Sequence, residues 1–106
     1  MDKDALLHYL KRRCTGQRNA VSSPALEALF RVSGGRLRHS INELRCAGHP
    51  ICSGDEGYYY AETSAELTAT IRQLQSRISK IAGAKNGLVR AAPLYDADQL
   101  ELPLTE

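Results

Sequence analysis

The sequence contains no long apolar run, and this absence limits the classes of protein that it can encode. A membrane-spanning helix needs about eighteen consecutive apolar residues, and no stretch of the 106 residues approaches that length. The first residues, 1–11, carry three charges before the first helical turn would end, unlike a secretory signal. We therefore expect neither a membrane protein nor an exported one.

Cysteine is scarce, and its spacing does not suggest disulfides. Cys14, Cys46 and Cys52 are odd in number and form no Cys-x-x-Cys pair, which argues against a disulfide framework. Cys46, His49 and Cys52 stand three residues apart and could in principle hold zinc, but no fourth ligand is close in sequence. We expect a reducing, cytoplasmic environment, no metal site and no cofactor.

Residue patterns that are typical of catalysis are also missing. No Ser/His/Asp, Cys/His or paired-carboxylate arrangement has a catalytic spacing, and there is no Gly-rich phosphate loop of the Walker type. We expect that the protein is not an enzyme and takes no small-molecule substrate. With 42% hydrophobic and 25% charged residues, the composition is that of one ordinary soluble domain.

The charge, by contrast, is unevenly distributed along the chain. Residues 1–50 contain nine bases and four acids, whereas residues 51–106 contain five bases and eight acids. The net charge of +2 therefore divides into +5 and −3. Clustered cations attract phosphates and release their counterions on binding, so a polyanion is one expected partner. An unevenly charged solvated surface is the alternative.

Two helices are predicted near the beginning of the chain. The first covers residues 4–14, where apolar side chains recur at helical spacing: Leu6, Leu7, Leu10 and Cys14. A short extended segment over residues 20–22 follows, and Ser23 and Pro24 then provide a helix cap and a first-turn proline. The second helix runs to about Arg31 and is expected to bury three side chains, namely Leu26, Leu29 and Phe30.

A third helix is predicted over about residues 34–47, with Ser33 as its cap and Gly48 as its end. Its apolar residues repeat at spacings of four and three and mark one buried face: Leu37, Ile41 and Leu44. Two short strands, at residues 50–53 and 58–61, are separated by a turn-rich tip and are predicted to form a β-hairpin.

A long fourth helix is predicted to begin at the capping box of residues 63–66. Its apolar residues alternate at spacings of four and three: Leu67, Ile71, Leu74, Ile78 and Ile81. The helix is expected to end near Gly83 or Gly87. Residues 88–106, which hold four acids and one base, are expected to form a flexible acidic tail.

The order helix, short strand, helix, tight turn, helix and hairpin resembles the winged helix-turn-helix family of DNA-binding domains. Residues 32–51 share with that family a Val-Ser entry, three buried apolar steps, a Leu-Arg pair, and a Gly and an Ile before the wing, and residues 57–60 resemble its returning wing strand. The resemblance covers about residues 4–62. It implies a mainly α, α+β winged-helix fold with a domain at 1–62, a helix at 63–87 and a tail.

The resemblance also implies that the third helix binds double-stranded DNA in the major groove. If its apolar face points inward, the rotation of about 100° per residue turns Gly35, His39 and Asn42 outward. We expect base contacts from Arg38, His39, Asn42 and, as a lesser candidate, Ser40, and phosphate contacts from Arg36 and Arg45. The alternative is a solvated helix face in a protein-binding winged helix.

The predicted wing departs from the DNA-binding pattern. Its tip holds Asp55 and Glu56 and no cation, and these carboxylates would be repelled by a phosphate backbone. Either the third helix binds DNA without support from the wing, or the wing faces a protein. The three tyrosines at 58–60 are explained by core packing plus one exposed ring.

Two further interaction sites are predicted in the C-terminal half. The apolar stripe of the fourth helix, over about residues 64–82, is expected to pair with its copy in a two-fold dimer; packing against its own domain is the alternative. In the tail, four positions resemble the peptide by which bacterial replication and repair proteins dock on the sliding clamp of DNA polymerase: Gln99, Leu100, Leu102 and Leu104. A leucine-bearing tail that docks on its own domain is the alternative.

Taken together, these patterns predict a cytoplasmic, homodimeric regulator of transcription or DNA replication from a prokaryote or a phage. The expected partners are double-stranded DNA and the sliding clamp. The alternative is a protein-interaction adaptor with the same fold, tethered to the clamp by its tail.

Overall fold

The protein, described here from a computed structural model over residues 1–95, consists mainly of helices. The helices are α1 (Lys3–Arg13), α2 (Ser23–Phe30), α3 (Gly34–Cys46) and α4 (Ser64–Ala91), and the strands are β1 (Ile51–Gly54) and β2 (Gly57–Tyr60). Short 3-10 helices cover Gln17–Asn19 and Ala92–Leu94. The predicted fold class is confirmed: a mainly helical α+β fold with a small antiparallel hairpin and a long C-terminal helix.

Side-chain caps determine where the helices begin. Ser33 Oγ accepts a hydrogen bond from the Arg36 amide at 3.1 Å, as predicted for α3. The capping box of α4 is also confirmed, because the Glu66 amide donates to Thr63 Oγ1 at 3.2 Å and the Thr63 amide donates to Glu66 Oε1 at 3.4 Å. The cap of α2 is Ser22 and not the predicted Ser23, since Ser23 already lies in the first turn.

The core forms where α1, α2, α3 and β1 meet. Its buried side chains are Leu6, Leu10, Cys14, Leu26, Leu37, Ile41, Leu44 and Ile51. Each fully buried leucine contributes about 1.5–3 kcal/mol relative to exposure to water. The prediction that Leu29 is buried is wrong, since this side chain remains 54% exposed. In the short α2, only Leu26 is fully buried, and Phe30 is half-buried beside the core.

The hairpin is joined to the segment that precedes α2. β1 pairs with β2 in a register that places Ile51 opposite Tyr60 and Gly54 opposite Gly57. The amides of Val21 and Tyr58 each donate to the other's carbonyl oxygen, at 2.9 and 2.8 Å. The predicted extended segment therefore forms an isolated antiparallel bridge with β2 at Val21 and Tyr58. This bridge connects the hairpin to the segment that leads into α2.

α4 is longer than predicted. It continues through Gly83 and Gly87 to Ala91, so the expected ends of this helix, and a tail starting at residue 88, are wrong. A glycine inside a helix costs only about 1 kcal/mol relative to alanine, and the favourable residues around these two glycines outweigh that cost. None of the helices within residues 1–95 is long and apolar enough to span a membrane.

The chain divides into two compact units, residues 1–71 and the residues from Arg72 onward. The first unit contains the core, the hairpin and the first two turns of α4. Those turns are attached to the hairpin by Thr70, whose buried hydroxyl accepts a hydrogen bond from the Ser53 amide at 3.3 Å. The described part of the second unit consists of the remainder of α4 and the 3-10 helix that follows it.

Candidate nucleic-acid interface

The orientation of α3 is fixed by its apolar face. Leu37, Ile41 and Leu44 are all buried in the core, and their spacing leaves the opposite side of the helix in solvent. Ser33 holds the first turn, and Gly48, with a φ of +96° that glycine adopts readily, follows the last turn. The helix therefore presents a defined outer side.

Four of the predicted DNA-binding residues lie on this exposed side, namely Arg36, Arg38, His39 and Asn42. Helical periodicity predicted His39 and Asn42 on the outer face with Arg36 and Arg38 on its flanks, and all four side chains are exposed. We refer to these four exposed side chains as the α3 surface. It offers two guanidinium groups, an imidazole and an amide, which together supply hydrogen-bond donors suited to base edges and phosphates.

The guanidinium of Arg38 lies over the first turn of its own helix. Its Nη1 atom is 3.2 Å from the position that a Cβ atom on Gly34 would occupy, and Glu27 Oε2 is also 3.2 Å from that position. The absence of a side chain at Gly34 therefore leaves room for this guanidinium close to the helix N-terminus. No pattern in the sequence indicated that Gly34 provides this space.

An acidic residue adjoins the α3 surface. Glu43 Oε1 is 3.4 Å from His39 Nε2, and Glu43 Oε2 is 3.6 Å from Lys3 Nζ, which comes from α1. Neither Glu43 nor Lys3 was among the predicted site residues. The spacing of four residues between His39 and Glu43 is a readable signal for their contact, whereas no local pattern could have placed Lys3 beside α3.

Ser40 and Arg45 are not part of the α3 surface, contrary to prediction. Ser40 is 2% exposed and lies on the core side of the helix, so it cannot reach a base edge. The Arg45 side chain is half-buried and extends to β1, where Nε donates to the Ile51 carbonyl at 2.8 Å and Nη2 donates to Ser53 Oγ at 3.1 Å. Arg45 therefore joins α3 to the hairpin, and we remove it from the proposed phosphate contacts.

Another ion pair, separate from the contacts of Glu43, lies where the 3-10 helix at Gln17–Asn19 meets the start of α4. Arg18 donates to both carboxylate oxygens of Glu62, at 2.6 and 3.1 Å. These hydrogen bonds and the accompanying charge attraction raise the pKa of Arg18 and lower the pKa of Glu62. Although Arg18 contributes to the basic N-terminal half of the sequence, its charge is thus balanced locally.

The hairpin, residues 51–60, contains no Lys or Arg that could contact a phosphate in place of Arg45 or Arg18. Asp55 and Glu56 are exposed at its tip, as the sequence indicated. Of the three tyrosines, Tyr59 is buried, and burial raises the pKa of its hydroxyl. Tyr58 packs against the core, and the ring of Tyr60 lies under Lys11, whose Nζ is 5.8 Å from the ring centroid. Packing accounts for all three rings.

The predicted dimerisation residues differ in exposure along α4. Leu67 and Leu74 are half-buried, whereas the three isoleucines are exposed: Ile71, Ile78 and Ile81, the last two by 59% and 68%. Because α4 continues beyond Gly87, it also contains Leu88, which was not among the predicted dimerisation residues. Leu88 is 74% exposed and lies seven residues after Ile81. The stripe from Leu67 to Leu88 therefore extends over three heptads, with Lys85 at the spacing position between Ile81 and Leu88.

The remaining predictions concern the clamp-binding residues, the cysteines and a metal site. The predicted clamp-binding residues Gln99, Leu100, Leu102 and Leu104 lie outside the described residues. Cys46 is exposed whereas Cys14 and Cys52 are buried, and all three are free thiols. Among residues 1–95, no group of three His, Cys, Asp or Glu side chains is arranged to hold a metal ion.

The chain was also compared with known proteins. No protein-family profile matches it, and neither a curated protein nor a solved structure shows significant similarity to it.

Proposed function

We propose that this protein binds double-stranded DNA in a sequence-specific manner as a regulator of transcription or replication. The observation that carries the proposal is the α3 surface: a helix whose inner side is fixed in the core and whose outer side exposes Arg36, Arg38, His39 and Asn42. A helix of this diameter fits the major groove, where arginine pairs with guanine and asparagine with adenine. The order of elements, with the hairpin held by Val21, supports the resemblance to a winged helix.

The charges around the hairpin define how such a complex would form. Carboxylates at the tip would be repelled by phosphates, so we assign the DNA contacts to α3 and the neighbouring α1 and none to the hairpin. Lys3 adds a cation beside α3, while Glu43 offsets part of the charge. Fewer phosphate contacts mean a shallower dependence of affinity on salt, because each neutralised phosphate contributes about −0.9 to the logarithmic slope.

This proposal is tested by retention of the full chain on duplex DNA at increasing salt. The Arg38→Ala variant should weaken binding by about 1–3 kcal/mol, as expected for an arginine at a base edge. Arg90→Ala removes the same charge from an exposed position on α4 and serves as the matched control. Equal losses in both variants, or no retention of the unmodified chain, would contradict the proposal and favour the adaptor function.

We further propose that the protein is a homodimer that forms through the stripe on α4. Ile71, Ile78 and Ile81 are exposed, and with Leu88 they continue the spacing that brings two helices together. The helix of 28 residues is about 42 Å long at 1.5 Å per residue, and the stripe from Leu67 to Leu88 covers three heptads of it. A two-fold dimer would present two α3 surfaces to a palindromic DNA site, about one DNA turn or a multiple apart.

The dimer is tested by analytical ultracentrifugation. Ile78→Asp places a carboxylate in the stripe and should reduce the measured mass to that of one chain, whereas Ser79→Asp alters the adjacent exposed position and should not. An unmodified chain that sediments as a monomer, or a mass unaffected by Ile78→Asp, would remove the dimer from the proposal.

A second candidate function rests on the C-terminal sequence. The match of Gln99, Leu100, Leu102 and Leu104 to the clamp-docking peptide favours a tether to the sliding clamp. Purified clamp should retain the full chain and lose a chain that ends at Asp98. The three free thiols are consistent with the reducing cytoplasm as the site of action.

A further inference from the structure

A groove lies between α1 and α2, within residues 1–71 and apart from the α3 surface. It has a volume of about 750 Å³, and its apolar wall is formed by Tyr9, Leu29 and Phe30. Tyr9 and Phe30 pack edge to face with their ring centroids 5.9 Å apart, which holds both rings in place. Leu29, which the sequence pattern places in the core, instead lines this open groove.

The solvent side of α2 is unusually poor in charge. Its exposed residues are Pro24, Ala25, Ala28 and Leu29, and its one charged residue, Glu27, is half-buried and accepts a hydrogen bond from Ser23 Oγ at 2.9 Å. The solvent side of a helix in a monomeric protein is normally rich in charged side chains. A contiguous apolar surface beside a groove indicates a binding site for another molecule.

Two arginines make the rim of the groove cationic. Arg12 and Arg13 line it from α1 beside His8, and no carboxylate among the described residues is part of its lining. Arg12 and Arg13 have exposed side chains, and no ion pair within residues 1–95 involves either of them. An apolar wall next to two unneutralised guanidinium groups selects a ligand that is both apolar and acidic.

We propose that this groove binds an acidic, leucine-containing peptide segment of a partner protein. Leucine-sized anchors of the segment would pack against Leu29, Phe30 and Tyr9, and its carboxylates would pair with Arg12 and Arg13. A groove between two helices is a common receptor for such amphipathic segments. A nucleic acid has the required charge but no aliphatic anchors, and it would leave the apolar wall uncovered. This inference does not depend on the proposed DNA binding.

The test measures binding of the full chain to a fluorescently labelled amphipathic peptide made of leucine, alanine and glutamate. Leu29→Ser removes the apolar anchor and Arg12→Ser removes a guanidinium; each should weaken binding by about tenfold, as expected for residues central to an interface. Lys11→Ser is the matched control, because Lys11 precedes Arg12 on the same helix but extends towards Tyr60. Binding should be unchanged in that variant.

Three further measurements distinguish the possible occupants of the groove. Polyglutamate that binds as tightly as the amphipathic peptide would overturn the proposal, since charge alone would then suffice. A lower sedimenting mass of Leu29→Ser would assign the groove to a second copy of this chain. Tighter peptide binding after removal of residues 96–106 would assign it to the protein's own C-terminal segment; either result contradicts a separate partner.

Retention of Leu29→Ser on duplex DNA separates this inference from the proposed function. That variant should bind DNA like the unmodified chain, because Leu29 lies on α2 and outside the α3 surface. Both Leu29→Ser and Arg12→Ser should also keep the thermal stability of the unmodified chain, since both side chains are exposed. A peptide affinity that none of the groove substitutions alters would refute the docking site.

Discussion

Residues 1–71 and residues 72–95 differ in how deeply their apolar side chains are buried. In the first region, leucines and isoleucines from three helices and a strand fill a common core. In the second, none of the described side chains is fully buried, and the large apolar ones are exposed except for the half-buried Leu74. All five charged residues between 72 and 95 are bases, whereas the first region mixes both signs.

This difference shows that the two regions obtain their order from different sources. The first region contains enough internal packing to specify its own structure, so its surfaces are positioned for binding. An isolated helix in water is only marginally stable, so we propose that the exposed part of α4 is stabilised when its apolar stripe is covered. In our account a second copy of the chain supplies that cover.

The largest expected effect is on the core of the first region. Leu10→Ala should lower the free energy of unfolding by about 2–5 kcal/mol, because it leaves a cavity at a fully buried position. Leu94→Ala makes the same chemical change at a position exposed by 81% and should alter stability by less than about 0.5 kcal/mol. Denaturant unfolding of both variants measures the contrast, and equal losses would contradict the division into two regions.

A somewhat smaller effect is expected at the hairpin turn. Gly57 has a φ of +128°, and a Cβ atom there would overlap the carbonyl of Val21. Gly57→Ala should therefore destabilise the protein by at least about 1–3 kcal/mol, the usual cost of such backbone strain. Gly54→Ala, opposite it in the hairpin, meets nothing within 4 Å and is the control. Similar stabilities of the two variants would show that the segment at Val21 does not hold the hairpin.

The stability of the first region also depends on pH, because the carboxyl group of Glu66 titrates with a lowered pKa. Hydrogen bonds from the Gln17 and Glu62 amides, with a further one from Thr63, lower the pKa of this carboxyl below its ordinary 4.5. Because its pKa is lower in the folded protein, the ionised group stabilises the fold above pH 4.5, and this contribution is lost as the pH falls through the lowered pKa.

Replacement of that carboxylate checks the sign of this effect. Glu66→Gln should remove part of the acid dependence of the unfolding free energy, with the difference from the unmodified chain largest near neutral pH and vanishing in strong acid. Glu56→Gln at the exposed hairpin tip is the control and should leave the profile unchanged. Superimposable profiles for Glu66→Gln and the unmodified chain would exclude Glu66 as a stabilising cap.

The smallest expected effect concerns the second region. Gly83 lies inside α4 with no atom within 4 Å of the position a Cβ would take, so Gly83→Ala should stabilise the helix by about 0.5–1 kcal/mol. Circular dichroism should report a higher helical melting temperature, and Ala84→Gly should lower it by a similar amount. No change in either variant would mean that α4 is not limited by its own helix propensity.

Local patterns predicted the elements of the fold but not all of their neighbours. The periodicity of Leu37, Ile41 and Leu44 correctly oriented α3, and the Thr63 to Glu66 spacing correctly located the start of α4. The end of α4 was predicted too early, because glycines weaken a helix without ending it when no competing turn is available. Leu29 was misplaced because α2 has only two turns, too few for spacing to distinguish a buried flank from an exposed one.

The candidate site likewise has features that local patterns predicted and features that they did not. Helical periodicity placed Arg36, Arg38, His39 and Asn42 on one exposed side. It could not reveal that Arg45 extends to β1 or that Lys3 approaches Glu43, because both contacts depend on how separate elements pack. Ser40 was only a lesser candidate for a base contact, and it is buried because it lies three residues after Leu37 and four before Leu44, on the buried face.

The claim that the α3 surface meets DNA is tested most directly by nuclear magnetic resonance. Backbone amide shifts of the full chain would be recorded as a duplex oligonucleotide, selected from a random pool by its affinity for the protein, is added. We predict that the largest changes fall at Gly35, Arg38, His39 and Asn42, with little change between residues 72 and 95. Changes confined to the basic residues of α4, or none within α3, would contradict the account.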